Sequence, residues 1–331
     1  MSFLSKNIEQ VCDEIIGGNR KTLAKAITLI ESNNNEHRKF ANKILSKLNN
    51  KKDKSESIRI GITGIPGAGK STFIESLGTY LLNDDDNKIA VLAIDPSSRI
   101  SKGSILGDKT RMSKLSNNPN VFIRPTAASN FQGGIAKNTR ESIFLCEAAG
   151  FNIIFIETVG VGQNEISVFE MVDFFLLLKI AGSGDELQGI KRGIIEMSDL
   201  IVINKTDGDN INKSIIAKNE FQMALKLFSK KESEWMPEVM NCSSIENNGI
   251  IEIWDKISNY FKLTMTNNYF YKNRIKQNKY WLREIINQSI IDNFYLNERV
   301  RKEYKNQLKK INENKVDVFE AYQKIILSQK T

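Results

Sequence analysis

The stretch Gly64-Ile65-Pro66-Gly67-Ala68-Gly69-Lys70-Ser71 decides the fold of this chain, because it fits the pattern G-x-x-x-x-G-K-[ST]. The apolar run 58–63 precedes it and predicts a buried strand, and residues 71–77 follow as a predicted helix. In this context the loop turns its backbone N–H groups inward, and the helix N-terminus adds partial positive charge. The stretch therefore predicts a nucleoside triphosphate site, in which Lys70 reaches the β- and γ-phosphates and Ser71 binds Mg²⁺.

Two further apolar runs each end in a carboxylate, Asp95 and Glu157 respectively. A carboxylate that closes a strand beside a phosphate loop is suited to hold Mg²⁺, directly or through water. The amide of Gly160 is the expected sensor of the γ-phosphate, because a glycine backbone can approach a phosphate closely. Asp108 is a further candidate acid, and the residues around it leave its role open.

A later apolar run, residues 200–203, ends in Asn204-Lys205-Thr206-Asp207, which fits N-K-x-D. The Asp207 carboxylate can accept hydrogen bonds from N1–H and N2–H₂ of guanine, whereas adenine would leave this acceptor unpaired. The Lys205 stem can lie along the base, and Asn204 can tie this loop to the phosphate loop. GTP is therefore the predicted ligand rather than ATP.

The composition argues against several other classes of protein. His37 is the only histidine and the three cysteines are widely spaced, which disfavours a histidine base, a disulfide framework and a C-x-x-C metal site. The net charge of +8 comes from lysines spread along the chain, without an aromatic-and-basic RNA motif, so we expect no nucleic-acid partner. No apolar run approaches the roughly 20 residues of a membrane helix. The first residues lack a hydrophobic signal region, so we predict a cytoplasmic protein without a membrane partner.

Strands and helices alternate over residues 56–262, which predicts an α/β P-loop NTPase with a mainly parallel central sheet flanked by helices. The predicted strands are 58–63, 89–94, 121–124, 152–156, 174–180, 200–203 and 238–241. Helical extensions are predicted at both ends. The predicted domains are thus a helical N-terminal extension (1–55), a nucleotide-binding G domain (56–262) and a helical C-terminal region for dimerisation or docking (263–331).

The C-terminal region carries a broad apolar face that includes Leu282, Ile286, Ile290 and Phe294. Long helices with little core of their own predict either a docking or dimer surface, or packing back onto the same subunit. The residues alone leave these alternatives open.

Five segments occur in order along the chain. They are Gly-Ile-Pro-Gly-Ala-Gly-Lys-Ser-Thr (64–72), Ala-Ile-Asp-Pro-Ser-Ser (93–98), Gly-Ser-Ile-Leu-Gly-Asp-Lys-Thr-Arg-Met (103–112), Glu-Thr-Val-Gly-Val-Gly-Gln (157–163) and Asn-Lys-Thr-Asp (204–207). Together they resemble the MeaB/ArgK family of P-loop GTPases, which includes the human methylmalonic aciduria type A protein. The resemblance covers the predicted nucleotide domain almost throughout, and the helical ends fit the family layout.

The resemblance implies a GTPase that converts GTP to GDP and phosphate and chaperones a cobalamin-dependent acyl-CoA mutase, usually methylmalonyl-CoA mutase. Such proteins gate cofactor loading and protect or reactivate the mutase, and they are typically homodimers through the C-terminal helices. The resemblance also implies a third switch at residues 182–192, in which Lys191 contributes to hydrolysis. It further assigns a magnesium environment to Ser71, Asp95, Asp108 and Glu157. The implied nucleotide-binding residues are Gly64, Ile65, Pro66, Gly67, Ala68, Gly69, Lys70, Ser71, Thr72, Gly160, Asn204, Lys205, Asp207, Cys242, Ser243 and Ser244.

Phosphoryl transfer to water needs charge neutralisation and an oriented nucleophile. Lys70, the loop amides and Mg²⁺ supply the first requirement. Val161 directly follows Gly160, where Ras-like proteins carry Gln, and an apolar side chain cannot orient water; Gln163 comes two residues later. We therefore predict slow intrinsic hydrolysis, accelerated when a partner reorganises the third switch. Lys70, Gln163 and Lys191 are the candidate catalytic residues.

Three other functions remain open at this point. A metallochaperone GTPase would need a cluster of cysteine and histidine ligands near the nucleotide site, which the scattered cysteines and single histidine disfavour. A nucleotide-dependent kinase would need a base that orients the acceptor of the phosphate. A scaffold that senses nucleotide without turning it over is a third and weaker reading.

Overall fold

The structure is a computed structural model that describes residues 3–32, 34–51, 57–95, 112–127, 132–158, 165–182 and 192–329. The chain divides into two compact units, Met1–Gln277 and Asn278–Thr331. None of the helices in the described part of the chain is long and apolar enough to cross a bilayer.

The first unit is built around a seven-stranded sheet in which every pairing is parallel. Its strands are β1 (Ile58–Gly64), β2 (Ile89–Asp95), β3 (Val121–Ala127), β4 (Ile153–Thr158), β5 (Phe174–Ile180), β6 (Leu200–Asn204) and β7 (Glu238–Asn241). They lie in the order β3-β2-β4-β1-β5-β6-β7. The predicted fold class and all seven predicted strands are confirmed.

Helices cover both faces of this sheet, which explains why its strands read as continuous apolar runs. The helices of this unit are α1 (Ile8–Ile16), α2 (Arg20–Glu31), α3 (Asn35–Lys51), α4 (Lys70–Leu81), α5 (Ser113–Ser116), α6 (Gln132–Ala148), α7 (Glu165–Phe169), α8 (Arg192–Met197), α9 (Ile211–Leu225), α10 (Ile250–Thr266) and the first part of α11 (Tyr269–Leu296). One apolar cluster joins α1–α3 and α6 to one face, and a second joins α4 and α10 to the other. All six residues of β4 are buried, as a strand covered on both faces should be.

The three N-terminal helices pack on the sheet unit through apolar stripes and buried ion pairs. Leu23 and Ile27 of α2 are fully buried, and the side chain of Asn19 caps this helix by accepting from the amides of residues 21 and 22, both at 3.1 Å. Arg38 of α3 forms an ion pair with Glu141 of α6. These contacts fix the helical extension to the same unit as the sheet.

The second unit contains the end of α11 together with α12 (Glu298–Asn312) and α13 (Val318–Leu327). Val300 of α12 and Ala321 of α13 are buried, and α12 and α13 pack against each other. Few other apolar side chains of this unit are buried, so it has a small core.

Candidate nucleotide site

The phosphate-loop motif connects the carboxyl end of β1 to the N-terminus of α4, as the sequence predicts. β1 lies between β4 and β5, where the chain moves from one half of the sheet to the other. Such a switch point leaves a crevice at the carboxyl ends of the strands, which is where ligands bind in open α/β sheets. The register sets Ile62 of β1 opposite Glu157 of β4, so this carboxylate reaches the edge where the loop begins.

Two glycines of the loop are required by close contacts. A Cβ on Gly64 would lie 2.2 Å from the carbonyl oxygen of Leu178 on β5. Gly69 has a φ of +86°, and a Cβ there would lie 2.7 Å from the side-chain nitrogen of Asn204. The loop therefore follows this path only because these positions carry no side chain.

Lys70 lies inside the curl of the loop. Its Nζ donates to the carbonyl oxygens of Gly64 at 2.8 Å and Ile65 at 3.1 Å. Burial lowers the pKa of the Lys70 ammonium, and the negative charge of Glu157 partly opposes that shift. The ammonium is thus held by weak neutral acceptors, which phosphate oxygens can replace as stronger charged acceptors.

Ser71 and Glu157 form the oxygen-rich side of the loop. The Ser71 hydroxyl donates to Oε1 of Glu157 at 2.9 Å, and Glu157 is almost completely buried. A hydroxyl and a carboxylate oxygen at this spacing are the hard donors that Mg²⁺ prefers, so this pair fits a magnesium ion. The register sets Ile94 of β2 opposite Thr158 of β4, so the backbone of Asp95, the next residue, ends β2 on the same edge of the sheet.

Asn204 connects the loop after β6 to the phosphate loop. Its Nδ2 donates to the carbonyl oxygen of Ala68 at 2.9 Å. Its Oδ1 accepts from the Ser244 hydroxyl at 2.8 Å, the Ser244 amide at 3.2 Å and the Cys242 thiol at 3.3 Å. Burial raises the pKa of the Cys242 thiol to about 12, so this group stays a neutral donor. One buried side chain thus joins three loops at the site.

Asp207 is positioned by the loop that follows β7. The Ser243 hydroxyl donates to Oδ2 of Asp207, and the amide of Thr206 donates to the carbonyl oxygen of Cys242 at 3.0 Å. Lys205 has a φ of +59°, and its Cε lies 3.9 Å from the position of a Cβ on Gly69. The stem of Lys205 therefore lies over the phosphate loop, next to the carboxylate that the motif assigns to guanine.

Ser76 takes part in this arrangement although the sequence analysis does not identify it. Its hydroxyl, on α4, donates to the carbonyl oxygen of Ser244. The contact joins the helix that follows the phosphate loop to the loop predicted to lie beside guanine. Ser76 stands five positions after Ser71, and no motif marks it, so only the packing of α4 reveals its role.

The structure brings together most of the predicted site residues. Those at one sheet edge are 64–72, Glu157, 204–207 and 242–244. Asp108, Gly160, Gln163 and Lys191 lie outside the described residues. The individual binding and catalytic assignments remain predictions. Among the described residues, which do not include Asp108, no group of three or more His, Cys, Asp or Glu side chains is placed to hold a metal.

Several known GTPases are similar in sequence to this chain over most of its length. The chain is 42% identical to the GTPase ArgK of Escherichia coli over 297 residues, covering 90% of this chain and 89% of that protein. A probable GTPase of Mycobacterium tuberculosis is 42% identical over 295 residues, covering 89% of this chain and 87% of the relative. The mitochondrial methylmalonic aciduria type A homolog of Mus musculus is 41% identical over 304 residues, covering 89% of this chain and 73% of that protein.

A crystal structure described as an LAO/AO transport system kinase has 34% sequence identity and a TM-score of 0.74, covering 98% of each chain. The family model described as "Methylmalonyl Co-A mutase-associated GTPase MeaB" matches residues 23–299. That range includes the phosphate loop, the pair formed by Ser71 and Glu157, and the loop that follows β6. The protein is therefore a GTPase and belongs to the MeaB family.

Proposed function

We propose that this GTPase is a chaperone of a cobalamin-dependent acyl-CoA mutase, in which GTP binding and hydrolysis gate cofactor loading and protect or reactivate the mutase. The observation that carries the proposal is the match to the mutase-associated family over residues 23–299. The name of the mouse relative, a methylmalonic aciduria type A homolog, supports methylmalonyl-CoA mutase as the partner.

The geometry supports guanine as the base. Asp207 is held by Ser243, and Asn204 joins this loop to the phosphate loop, so base and phosphates bind one connected unit. Changing Asp207→Asn replaces a carboxylate acceptor with an amide that also donates. We expect this variant to lose affinity for GTP and gain it for xanthosine triphosphate, which has an acceptor at that carbon. Calorimetry with both nucleotides tests this, and an unchanged preference contradicts the guanine assignment.

Magnesium fits the pair formed by Ser71 and Glu157, and we assign Asp95 and Asp108 to the same ion. When bound, the ion neutralises charge on the β- and γ-phosphates. Lys70 and the loop amides hold the phosphates in this proposal. We further assign γ-phosphate sensing to Gly160.

Hydrolysis by the isolated protein is expected to be slow. Val161 cannot orient water, so Gln163 and Lys191 take part once a partner reorganises the third switch. A phosphate-release assay with and without methylmalonyl-CoA mutase tests this, and turnover as fast as that of a metabolic kinase in the absence of partner contradicts it.

The partner must distinguish the nucleotide states. A mutase that binds the GTP form better than the GDP form raises the affinity of the protein for GTP relative to GDP by the same factor, because the linkage is reciprocal. We therefore expect the affinity for purified methylmalonyl-CoA mutase to differ between a non-hydrolysable GTP analogue and GDP. No binding in either state would remove the mutase from the proposal and leave the GTPase assignment intact.

We propose a homodimer through the C-terminal helices. Leu282, Ile286 and Ile290 recur at four-residue spacing on α11 and are 60%, 49% and 63% exposed. An apolar stripe of this kind is typical of a helix that packs on a partner. Ile286→Glu should give a monomer in light scattering. Ile216→Glu, at a 60% exposed position on α9, is the control that should leave the oligomeric state unchanged.

A kinase is the alternative with a specific observation behind it, because the structural relative at 34% identity is described as a transport system kinase. A metallochaperone GTPase is the other alternative from the sequence. Following the γ-phosphate of labelled GTP distinguishes a kinase from a hydrolase. Release as inorganic phosphate supports the GTPase, and transfer to an acceptor supports the kinase.

The domain limits 1–55, 56–262 and 263–331 also remain proposals, as does a cytoplasmic location. Limited proteolysis tests the limits, because cleavage should begin near residue 55 and at the turn that follows α10, at residues 267–268. Cell fractionation tests the location.

A further inference from the structure

A cavity of about 870 Å³ lies at the amino ends of β5 and β6. Asp173 and Asp199, which directly precede these two strands, both line it. The phosphate loop leaves the carboxyl end of the neighbouring β1. A strand of seven residues is about 23 Å long, so this cavity is at the opposite edge of the sheet from the nucleotide site.

The cavity has the size and walls of a small-molecule site. Its walls include the aromatic side chains of Phe169, Phe175, Phe228, Trp235 and Tyr260. Pockets for small ligands typically have volumes of about 300–1,000 Å³, with mainly apolar and aromatic walls and few polar groups. The lining therefore favours a ligand with an apolar body.

The two buried aspartates of the cavity already have partners. Arg274 donates to both carboxylate oxygens of Asp173, at 2.8 Å and 2.6 Å. Lys231 donates to Asp199 at 2.7 Å and to two backbone carbonyls at the end of α8, at 2.9 Å and 2.8 Å. Both aspartates are neutralised by cations of the protein, so they form part of the cavity wall and do not offer a free carboxylate to a ligand.

Other carboxylates are less well matched. Glu170 is half-buried and Glu196 is exposed, and neither forms an ion pair with any described residue. Glu232 is 3.6 Å from Lys276, but both side chains are mostly exposed, and such pairs interact weakly. The remaining cations of the lining, at positions 226 and 230, are exposed and can extend into solvent. The five acidic residues of the lining are thus balanced by its four lysines and by Arg274, and Glu170 is left as a half-buried carboxylate without an ion pair among the described residues.

Tyr269 lies near the Glu170 carboxylate. Its ring lines the cavity, and burial together with the charges of Asp199, Glu232 and Glu170 raises the pKa of its hydroxyl to about 12. Burial is the largest cause of this shift and disfavours any unpaired charge, whereas the nearby Glu170 carboxylate favours a cation that pairs with it. The aromatic faces around it also attract cations.

We propose that this cavity binds a small organic ammonium ion whose apolar body lies against the aromatic walls. The ammonium group donates charge-assisted hydrogen bonds to Glu170 and to the oxygen of the Tyr269 hydroxyl. The site is separate from nucleotide binding and does not depend on the proposed mutase partner.

Three probes with one apolar body and different charge test the proposal. They are phenylbutylamine, phenylbutanol and phenylbutyrate, titrated by ligand-detected NMR into the full chain loaded with GDP. We expect the amine to bind about tenfold more tightly than the alcohol, as one charge-assisted hydrogen bond predicts, and the carboxylate to bind most weakly. Equal binding of all three, or tightest binding of the carboxylate, overturns the proposal.

Two variants with matched controls locate the binding. Leu225→Trp fills the cavity and should abolish binding of all three probes, whereas Leu227→Trp, at a 78% exposed position outside the lining, should not. Glu170→Gln should reduce the affinity of the amine to that of the alcohol, and Glu220→Gln, outside the lining, should leave it unchanged.

GDP affinity, measured alongside, shows whether each variant is folded. If Leu225→Trp does not fold, Glu170→Gln decides alone, and full amine affinity in that variant overturns the proposal. Loss of nucleotide binding in the unmodified protein would count against the GTPase and not against this cavity.

Discussion

The side-chain amide of Asn204 donates to the carbonyl oxygen of Ala68 at 2.9 Å, across 136 positions of sequence. The contact holds the loop that follows β6 against the phosphate loop. It also explains why Gly69 has no side chain, because a Cβ there would collide with the same Asn204 nitrogen. The two halves of the nucleotide site are therefore a single hydrogen-bonded unit.

Removing this connection should weaken nucleotide binding. Asn204→Ala leaves the Ala68 carbonyl and the donors of Ser244 and Cys242 without their buried partner, at a cost of about 1–3 kcal/mol. We expect GTP and GDP affinities to fall together by about tenfold or more, as measured by calorimetry. Asn219→Ala, at an exposed position on α9, is the control, and equal affinities in the two variants would contradict this role.

The pairing of Ser71 with Glu157 predicts a dependence on magnesium. Glu157→Gln keeps the size of the side chain but removes its charge, so the Mg²⁺ concentration for half-maximal GTP hydrolysis should rise by about tenfold. Glu252→Gln, at an exposed position on α10, should leave the magnesium titration unchanged. A Glu157→Gln protein with the original magnesium dependence would exclude this carboxylate from the metal site.

Arg274 should contribute strongly to stability. It pairs through two hydrogen bonds with the buried Asp173, and it also donates to the carbonyl of Ser57 at 2.7 Å. Arg274→Ala leaves a buried carboxylate without its cation, which costs about 3–5 kcal/mol. Lys276→Ala removes an exposed ion pair nearby and should cost about 0–1 kcal/mol. Urea unfolding measures both, and similar losses in the two variants would refute the distinction.

The cysteines should react slowly with alkylating reagents. Burial raises the pKa of Cys242 to about 12, so at pH 8 only about one thiol in 10⁴ is a thiolate. Burial also raises the pKa of Cys12 and of Cys146. We expect iodoacetamide to modify these thiols only after unfolding, which exposes them to solvent and restores their ordinary pKa. Rapid labelling of folded protein, followed by mass spectrometry, would show that the thiols are accessible.

The strands were predictable because each is a short apolar run between polar segments. β5 and β6 are buried on both faces, so their sequences are almost entirely apolar and can be recognised as buried strands. The ends of the strands are harder to predict from the sequence. β3 ends at Ala127, whereas the sequence predicts residue 124, because its pairing with β2 continues past the apolar run. The order of the strands depends on contacts between distant segments, which the local pattern does not contain.

The sequence identifies some residues of the nucleotide site and misses others. Lys70, Ser71 and Asp207 were recognisable because their chemistry is tied to a fixed local spacing. Ser76 was not, because its partner is the carbonyl of Ser244, 168 positions away. No spacing rule connects two such residues.

By itself, the sequence determined that a strand, a glycine-rich turn and a helix follow one another at the phosphate-loop motif, and it predicts that a carboxylate later in the chain selects guanine. These are local properties of backbone conformation and side-chain chemistry. The tertiary structure alone decided that Glu157 lies against Ser71 and that Asn204 lies against Ala68. It also decided that a cavity with aromatic walls and a half-buried Glu170 forms at the far edge of the sheet. The physical reason is that each of these arrangements depends on how separate strands and helices pack, which is settled by burial of apolar surface over the whole unit.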